Sequence, residues 1–209
     1  MILLDVASAP TTPWKNGGGV TRELLRLPAH AGPDDWTLRI SVADIAADGP
    51  FSPFDGITRW FAVLDGPGVR LRWPRSAVHL HPGDPALCFD GADAPECTLL
   101  GAPTRDLNVM ARTNAAQALV DVASFDDRER WPGNTLGMGF FAIRPVRLLG
   151  PQDTPIDMPA LSLCWQAPPF GPPRPWGIAP SQDTGPAQDH TAGLPGYWIS
   201  LHEPRRQRP

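Results

Sequence analysis

Apolar and polar residues alternate strictly along Trp36-Thr37-Leu38-Arg39-Ile40-Ser41-Val42. Successive side chains of an extended strand point to opposite faces. Trp36, Leu38, Ile40 and Val42 therefore share one face, and Thr37, Arg39 and Ser41 share the other. Val69–Trp73 and Ala77–His81 alternate in the same way, and Arg59–Leu64 reads as a more fully buried strand. Cys97–Leu100, Arg105–Ala111 and Ala118–Ser124 continue the pattern, and Tyr197–Leu201 reads as a last strand returning to the core. Asp48-Gly49-Pro50, Asp65-Gly66-Pro67-Gly68, Pro82-Gly83-Asp84 and Asp90-Gly91 supply turn residues between these runs. Short strands at close spacing with Gly/Pro turns predict an all-β sandwich, jelly roll or barrel. Residues 167–196 break the pattern with a Pro-rich excursion, PPFGPPRPWG and a polar stretch after it.

Composition narrows the field. The 209 residues include 20 Gly and 27 Pro. Proline removes a helical hydrogen bond and glycine costs backbone entropy, so a helical bundle and a coiled coil are excluded. A net charge of −4 leaves no electrostatic footprint for nucleic acid. No apolar run reaches the roughly 18–20 residues that span a membrane, and Asp5 breaks the apolar start. The expectation is a cytoplasmic protein that engages neither nucleic acid nor membrane. Cys88, Cys97 and Cys164 are odd in number and form no CxxC, so they read as reduced thiols and not as a disulfide framework.

Four constellations could carry chemistry. In Pro13-Trp14-Lys15-Asn16-Gly17-Gly18-Gly19, followed by Thr21 and Arg22, three glycines allow backbone N–H groups to approach a ligand. Lys15, Asn16 and Arg22 add donors suited to a carboxylate. The GK[ST] order of a phosphate-binding loop is absent. Lys15 is the only lysine beside 17 arginines. An ammonium and a guanidinium are not interchangeable, but chance and a flexible turn explain the same pattern. The second group is Arg39 and Ser41 on the polar face of their strand, with Arg59 at the start of another. Alternation leaves open whether that face meets solvent or the interior. The third is Asp106 and Asn108, which share a face with Met110; an Asn between apolar strand residues suggests a buried hydrogen-bonding role. The fourth, His79 and His81, has the H-x-H spacing with which a metal site can begin. No third His follows in the next strands and no Glu appears before Glu96, so no metal is expected and the pair reads as edge histidines.

PWKNGGGVTREL, DWTLRISVADI, GPFSPFDGITRWFAVLDGPGVRL and CTLLGAPTRDLNVMAR occur in this order. Together they resemble the HutD/Ves family of bacterial proteins, encoded in or near histidine-utilisation operons, over about residues 1–150. The resemblance implies a bicupin, two cupin-like (RmlC-like jelly-roll) β-barrels packed together without the usual metal ligands and without a cofactor. On this reading residues 1–115 form an N-terminal half and residues 116–209 a C-terminal half that carries the excursion, or the two form one intertwined domain. The family is thought to bind small carboxylates of histidine breakdown, with N-formyl-L-glutamate as a proposed ligand, and to limit flux through the pathway. The matching positions are Trp14, Lys15, Asn16, Gly17, Gly18, Gly19, Thr21, Arg22, Arg39, Ser41, Arg59, Asp106 and Asn108. Family members often carry an Arg directly after the NVM segment, where this chain has Ala111 and then Arg112.

The leading expectation is thus a metal-independent binding protein for a small anionic metabolite such as N-formyl-L-glutamate or urocanate. It has no catalytic residue, and a homodimer is compatible with it. Two alternatives are a cupin-type isomerase or hydrolase, with Lys15 or Asp106 as acid or base, and a stress-linked interaction module.

Overall fold

Eighteen strands carry the chain in the computed structural model, which describes residues 1–32, 34–125, 127–128, 135–150, 154–170, 175–181 and 193–204. In order they are β1 (Ile2–Asp5), β2 (Thr11–Pro13), β3 (Gly19–Leu27), β4 (Leu38–Ile45), β5 (Gly49–Pro50), β6 (Ile57–Asp65), β7 (Val69–Trp73), β8 (Ser76–Leu80) and β9 (Leu87–Asp90). They continue as β10 (Glu96–Leu99), β11 (Thr104–Arg112), β12 (Gln117–Val122), β13 (Thr135–Ala142), β14 (Val146–Leu149), β15 (Ile156–Met158), β16 (Ser162–Gln166), β17 (Gly177–Pro180) and β18 (Gly196–His202). One 3-10 turn, Val6–Ser8, is the only helical element among the described residues, and no helix there is long and apolar enough to cross a membrane. The all-β expectation therefore holds. Every alternating run named above lies in a strand to within a residue or two at its ends.

Two units divide the chain. The larger is Ser8–Ala118 with Glu203–Pro209, and the other is Met1–Ala7 with Leu119–His202. The larger unit stacks a six-stranded sheet, ordered β2-β3-β4-β11-β6-β9, on a four-stranded sheet, β5-β10-β7-β8. Its apolar core draws Ile45, Phe61 and Val63 from the first sheet and Val69, Leu71, Leu80 and Cys97 from the second, so it lies between them. The other unit pairs a five-stranded sheet, β1-β16-β13-β18-β12, with a three-stranded one, β15-β14-β17. Its core again joins the two sheets, through Met138, Phe140, Cys164 and Trp198 on one side and Val146, Leu148, Met158 and Ile178 on the other.

Two features were not visible in the strand pattern. The first seven residues leave the unit that follows them in sequence: β1 pairs antiparallel with β16, Leu3 opposite Cys164. The Pro-rich excursion contributes β17, whose Ile178 packs in the core of its unit; residues 171–174 and 182–192 of that stretch lie outside the described residues.

Candidate functional site

Antiparallel register decides which side chains meet. Asn108 of β11 lies opposite Ser41 of β4 and Phe61 of β6; Met110 lies opposite Arg39 and Arg59; Asp106 lies opposite Ala43 and Val63. Residues directly opposite one another share a face. Phe61 and Val63 belong to the core between the sheets, so this whole polar stripe points inward. Burial agrees: Ser41, Arg59, Asp106 and Asn108 are all buried. The alternating apolar partners Leu38, Ile40 and Val42 occupy the opposite face and are buried as well. The inner face of the larger unit therefore carries charge among the apolar residues of its core.

Three side chains form a directional chain there. Arg59 Nε donates to Asn108 Oδ1 at 2.8 Å, and Asn108 Nδ2 donates in turn to Asp106 Oδ1. The second oxygen, Asp106 Oδ2, is buried and has no hydrogen-bond partner among the described residues. The Arg59 guanidinium lies 4.2 Å from the ring centroid of Phe51 and 5.6 Å from that of Phe89, within cation–π range of both. No carboxylate among the described residues forms an ion pair with it. Burial dominates the acid–base behaviour. It pulls Arg59 down to about 10, against the favourable field of Asp106 and with a further push from the like charge of Arg39. It pushes the Asp106 carboxyl up to about 8, against the field of Arg59 and the hydrogen bond from Asn108. The Cys97 thiol facing this group from β10 is pushed up to about 12 by burial and by Asp106 and Asp48, and stays a neutral thiol.

Arg39 stands at the more open end of the stripe, its side chain 23% exposed. Its Nε donates to Glu23 Oε2 at 2.7 Å, and Arg26 Nη2 donates to the same oxygen at 2.8 Å. Burial alone would raise Glu23, but the two arginines outweigh it and hold the carboxyl below its ordinary value. A register slip between Glu23 and Leu25 brings this trio together. A bulge inserts one residue and reverses the alternation, so Glu23 and Arg26 point the same way despite their odd spacing. The Leu24-Leu25 doublet is its trace in the sequence, since two adjacent buried leucines cannot both obey a period of two. Sequence reading missed Glu23, Arg26, Phe51 and Phe89. The doublet could have revealed the first two; nothing local marks the phenylalanines, which reach Arg59 only through the fold.

The Gly-rich segment is a hairpin between β2 and β3. Gly17 N–H donates to Trp14 C=O at 3.0 Å, Gly17 adopts φ +71°, and Gly18 N–H donates to Asn16 Oδ1 at 3.0 Å. Two of the three glycine N–H groups thus have acceptors within the turn. Gly19 is needed for close approach, since a Cβ there would sit 2.5 Å from the Asp44 carbonyl oxygen and 3.1 Å from the Trp14 ring. Trp14 Nε1 donates to Thr21 Oγ1 at 2.8 Å, and its ring packs on the core between the sheets. Lys15 and Asn16 are exposed at the tip.

Arg22 does not join the inner stripe. It lies opposite Val42, on the other face, where its Nη1 and Arg105 Nε both donate to Asp44, at 2.5 and 2.6 Å. Arg112, which follows Ala111, donates to the backbone carbonyls of Trp36 and Asp34. His79 and His81 are exposed on and just after the edge strand β8. No group of three His, Cys, Asp or Glu side chains assembles a metal site among the described residues.

This inner-face geometry sits within a recognisable lineage. The chain is 41% identical over 113 residues to an uncharacterised 21.2 kDa protein of Pseudomonas putida named for its place in the hutC 3′ region; the match covers 52% of this chain and 56% of that protein. It is 32% identical over 166 residues to protein Ves of Citrobacter koseri, covering 79% of this chain and 83% of that one. The solved structure of HutD from Pseudomonas fluorescens SBW25, described in a formate condition, superposes with a TM-score of 0.76 over 97% of this chain and 98% of its own, at 23% identity. The two-unit, all-β architecture is thus the fold of that structure. The HutD family model matches residues 6–165, including the hairpin, the inner stripe and β11, and the chain belongs to the HutD family.

Proposed function

We propose that this protein binds a small carboxylate, without a metal, on the inner face of its larger unit, and that it does so in connection with histidine utilisation. One observation carries the reading: Arg59 is a buried cation with aromatic rings around it and, among the described residues, no carboxylate paired to it. A charge removed from water is costly unless a counter-charge joins it. An anionic ligand supplies that counter-charge. It would also relieve the repulsion between Arg59 and Arg39, which flank Met110 across the sheet. Low local polarity strengthens the charge-assisted bonds, and Ser41 and Asn108 fix the orientation of the ligand. Apolar walls from Phe51, Phe61 and Phe89 complete a binding site of the usual kind.

The link to histidine breakdown rests on kinship: the P. putida relative is named for the hutC region. N-formyl-L-glutamate and urocanate are the candidate ligands on that basis, with a role in limiting flux. Thermal-shift titration with N-formyl-L-glutamate, urocanate, glutamate and formate tests the proposal. A saturating ligand at about 100 times its Kd adds roughly 2.7 kcal/mol of stability. A shift with one of these that disappears in Arg59→Ala supports the reading; no shift with any of the four refutes it.

Asp106 favours one second reading. A carboxyl with a value of about 8 is suited to general acid–base work near neutrality, as an isomerase or hydrolase would require. Turnover of any member of a metabolite panel, lost in Asp106→Asn, would select that reading over simple binding.

A further inference from the structure

The hydrogen-bond chain at the site has a fixed polarity, and its far end is unfinished. Arg59 can only donate, so the Asn108 oxygen faces it and the Asn108 amide must face Asp106. Asp106 therefore accepts through Oδ1, and Oδ2 is left buried with no partner among the described residues. A native fold rarely leaves a buried carboxylate oxygen unpaired, because the desolvation cost is not recovered. An ionised Oδ2 would need a donor, and the described residues offer none. A protonated Oδ2 needs an acceptor, and the anion invited by Arg59 is one.

We infer that Asp106 carries a proton on Oδ2 and donates it in a hydrogen bond to the bound carboxylate, so that ligand binding is coupled to proton uptake. This rests on the proposed carboxylate site and adds the state in which it works. A carboxylic acid and a carboxylate can share one proton in a short, strong hydrogen bond, whereas two carboxylates repel. The anion thus binds only to the protonated form. Where Asp106 is ionised in the free protein, solvent supplies one proton as the ligand enters.

The groups around Asp106 limit where this coupling shows. Arg59 faces it from β6 and Cys97 from β10, and its register partner on β4 is Ala43; Asp44 acts on it from the far side of β4, and Arg39 acts through Arg59. Arg59, at about 10, and Cys97, at about 12, change charge above the range tested. Asp44 is drawn below its ordinary value: burial would raise it, but Arg105 and Arg22 prevail, and it stays ionised. Asp106, at about 8, is the member of this set that titrates between pH 7 and 9.

The experiment is calorimetric titration of N-formyl-L-glutamate, with sodium formate as a second probe, between pH 7 and 9 in two buffers of different ionisation enthalpy. Wild-type Kd is expected to rise about tenfold between pH 7 and 9. The buffer-dependent heat should report an uptake that approaches one proton at the upper end. In Asp106→Asn, whatever its affinity, the ratio of Kd values at the two pH extremes should fall to about one, and the buffer dependence should vanish. Saturable binding with a flat Kd and no proton uptake in the wild type would overturn the inference and leave the carboxylate site standing. Failure of both probes to bind would overturn the two together. If Asp106→Asn does not fold, the wild-type buffer comparison decides alone.

Discussion

Asp106→Asn should make the protein more stable as the pH rises, a reversal of what deleting a buried carboxylate ordinarily does. The carboxyl is fully buried and lifted from an ordinary value of 3.8 to about 8. Below pH 4 the folded and unfolded chains both hold the proton, so Asp106 contributes nothing to the pH dependence. Between pH 4 and 8 only the folded chain holds it. Folding then takes up a proton, and stability falls with rising pH by about 1.4 kcal/mol per pH unit. Above 8 both states are ionised and the penalty is constant. Asparagine cannot titrate, so the variant escapes the whole slope. Its advantage over the wild type should grow by about 3 kcal/mol between pH 5 and 7 and level off above pH 8. Urea denaturation of both proteins at pH 5, 6, 7 and 8, followed by tryptophan fluorescence, measures this difference. Every other titrating group is common to the two proteins and cancels, as does any fixed change in hydrogen bonding. Two parallel stability curves would show that Asp106 is ionised throughout and would refute the argument from burial.

Four further outcomes test the local geometry. Gly19→Ala drives a methyl into the Asp44 carbonyl and the Trp14 ring and should cost about 1–3 kcal/mol in thermal denaturation. Gly17→Ala, which meets open space at φ +71°, should cost only about 1 kcal/mol, and the reverse order would contradict the hairpin described above. Ellman's reagent at pH 8 should modify exposed Cys88 promptly and reach Cys97 and Cys164 only on unfolding, since burial raises those two thiols to about 12 and about 11; fast labelling of Cys97 in the native protein would show that the inner face is open. Asp44→Asn, which frees Arg22 and Arg105 on the opposite face, should cost about 1 kcal/mol and leave carboxylate affinity at pH 6, where Asp106 keeps its proton, unchanged, while affinity lost at that pH would place Arg22 in the site.

The residues that make the inner site were legible as residues but not as a site. Arg39, Ser41, Asp106 and Asn108 could be assigned to strand faces from period-two alternation alone, because side-chain direction in a strand is a local property. Gly and Pro content excluded a helical bundle, and Asp, Gly and Pro together predicted the turns at Asp65–Gly68 and Asp90–Gly91, where Gly66 and Gly68 take positive φ. The motif at Trp14–Gly19 pointed to the family, and within it to these positions. What alternation could not supply was the meaning of a face. A stripe of Arg, Ser, Asp and Asn opposite Leu38, Ile40 and Val42 ordinarily faces water, and here it faces a core.

That inversion was decided by tertiary structure. Whether a strand face is wet depends on which sheet covers it, and β7, β8 and β10 belong to a second sheet that packs its side chains on the six-stranded one, a contact that no single segment specifies. The same holds for Arg59: its neighbours Phe51, Phe89 and Asn108 are 8, 30 and 49 positions away, and only strand register brings them together. The raised Asp106 and depressed Arg59 follow from that enclosure, since desolvation is a property of everything packed around a group and not of the group's own segment. The exchange of β1 into the other unit is of the same kind. Local sterics and residue identity were enough for the strands, their faces and the family. Only the folded chain determined which polar residues are buried together, and so where an anion would be welcome.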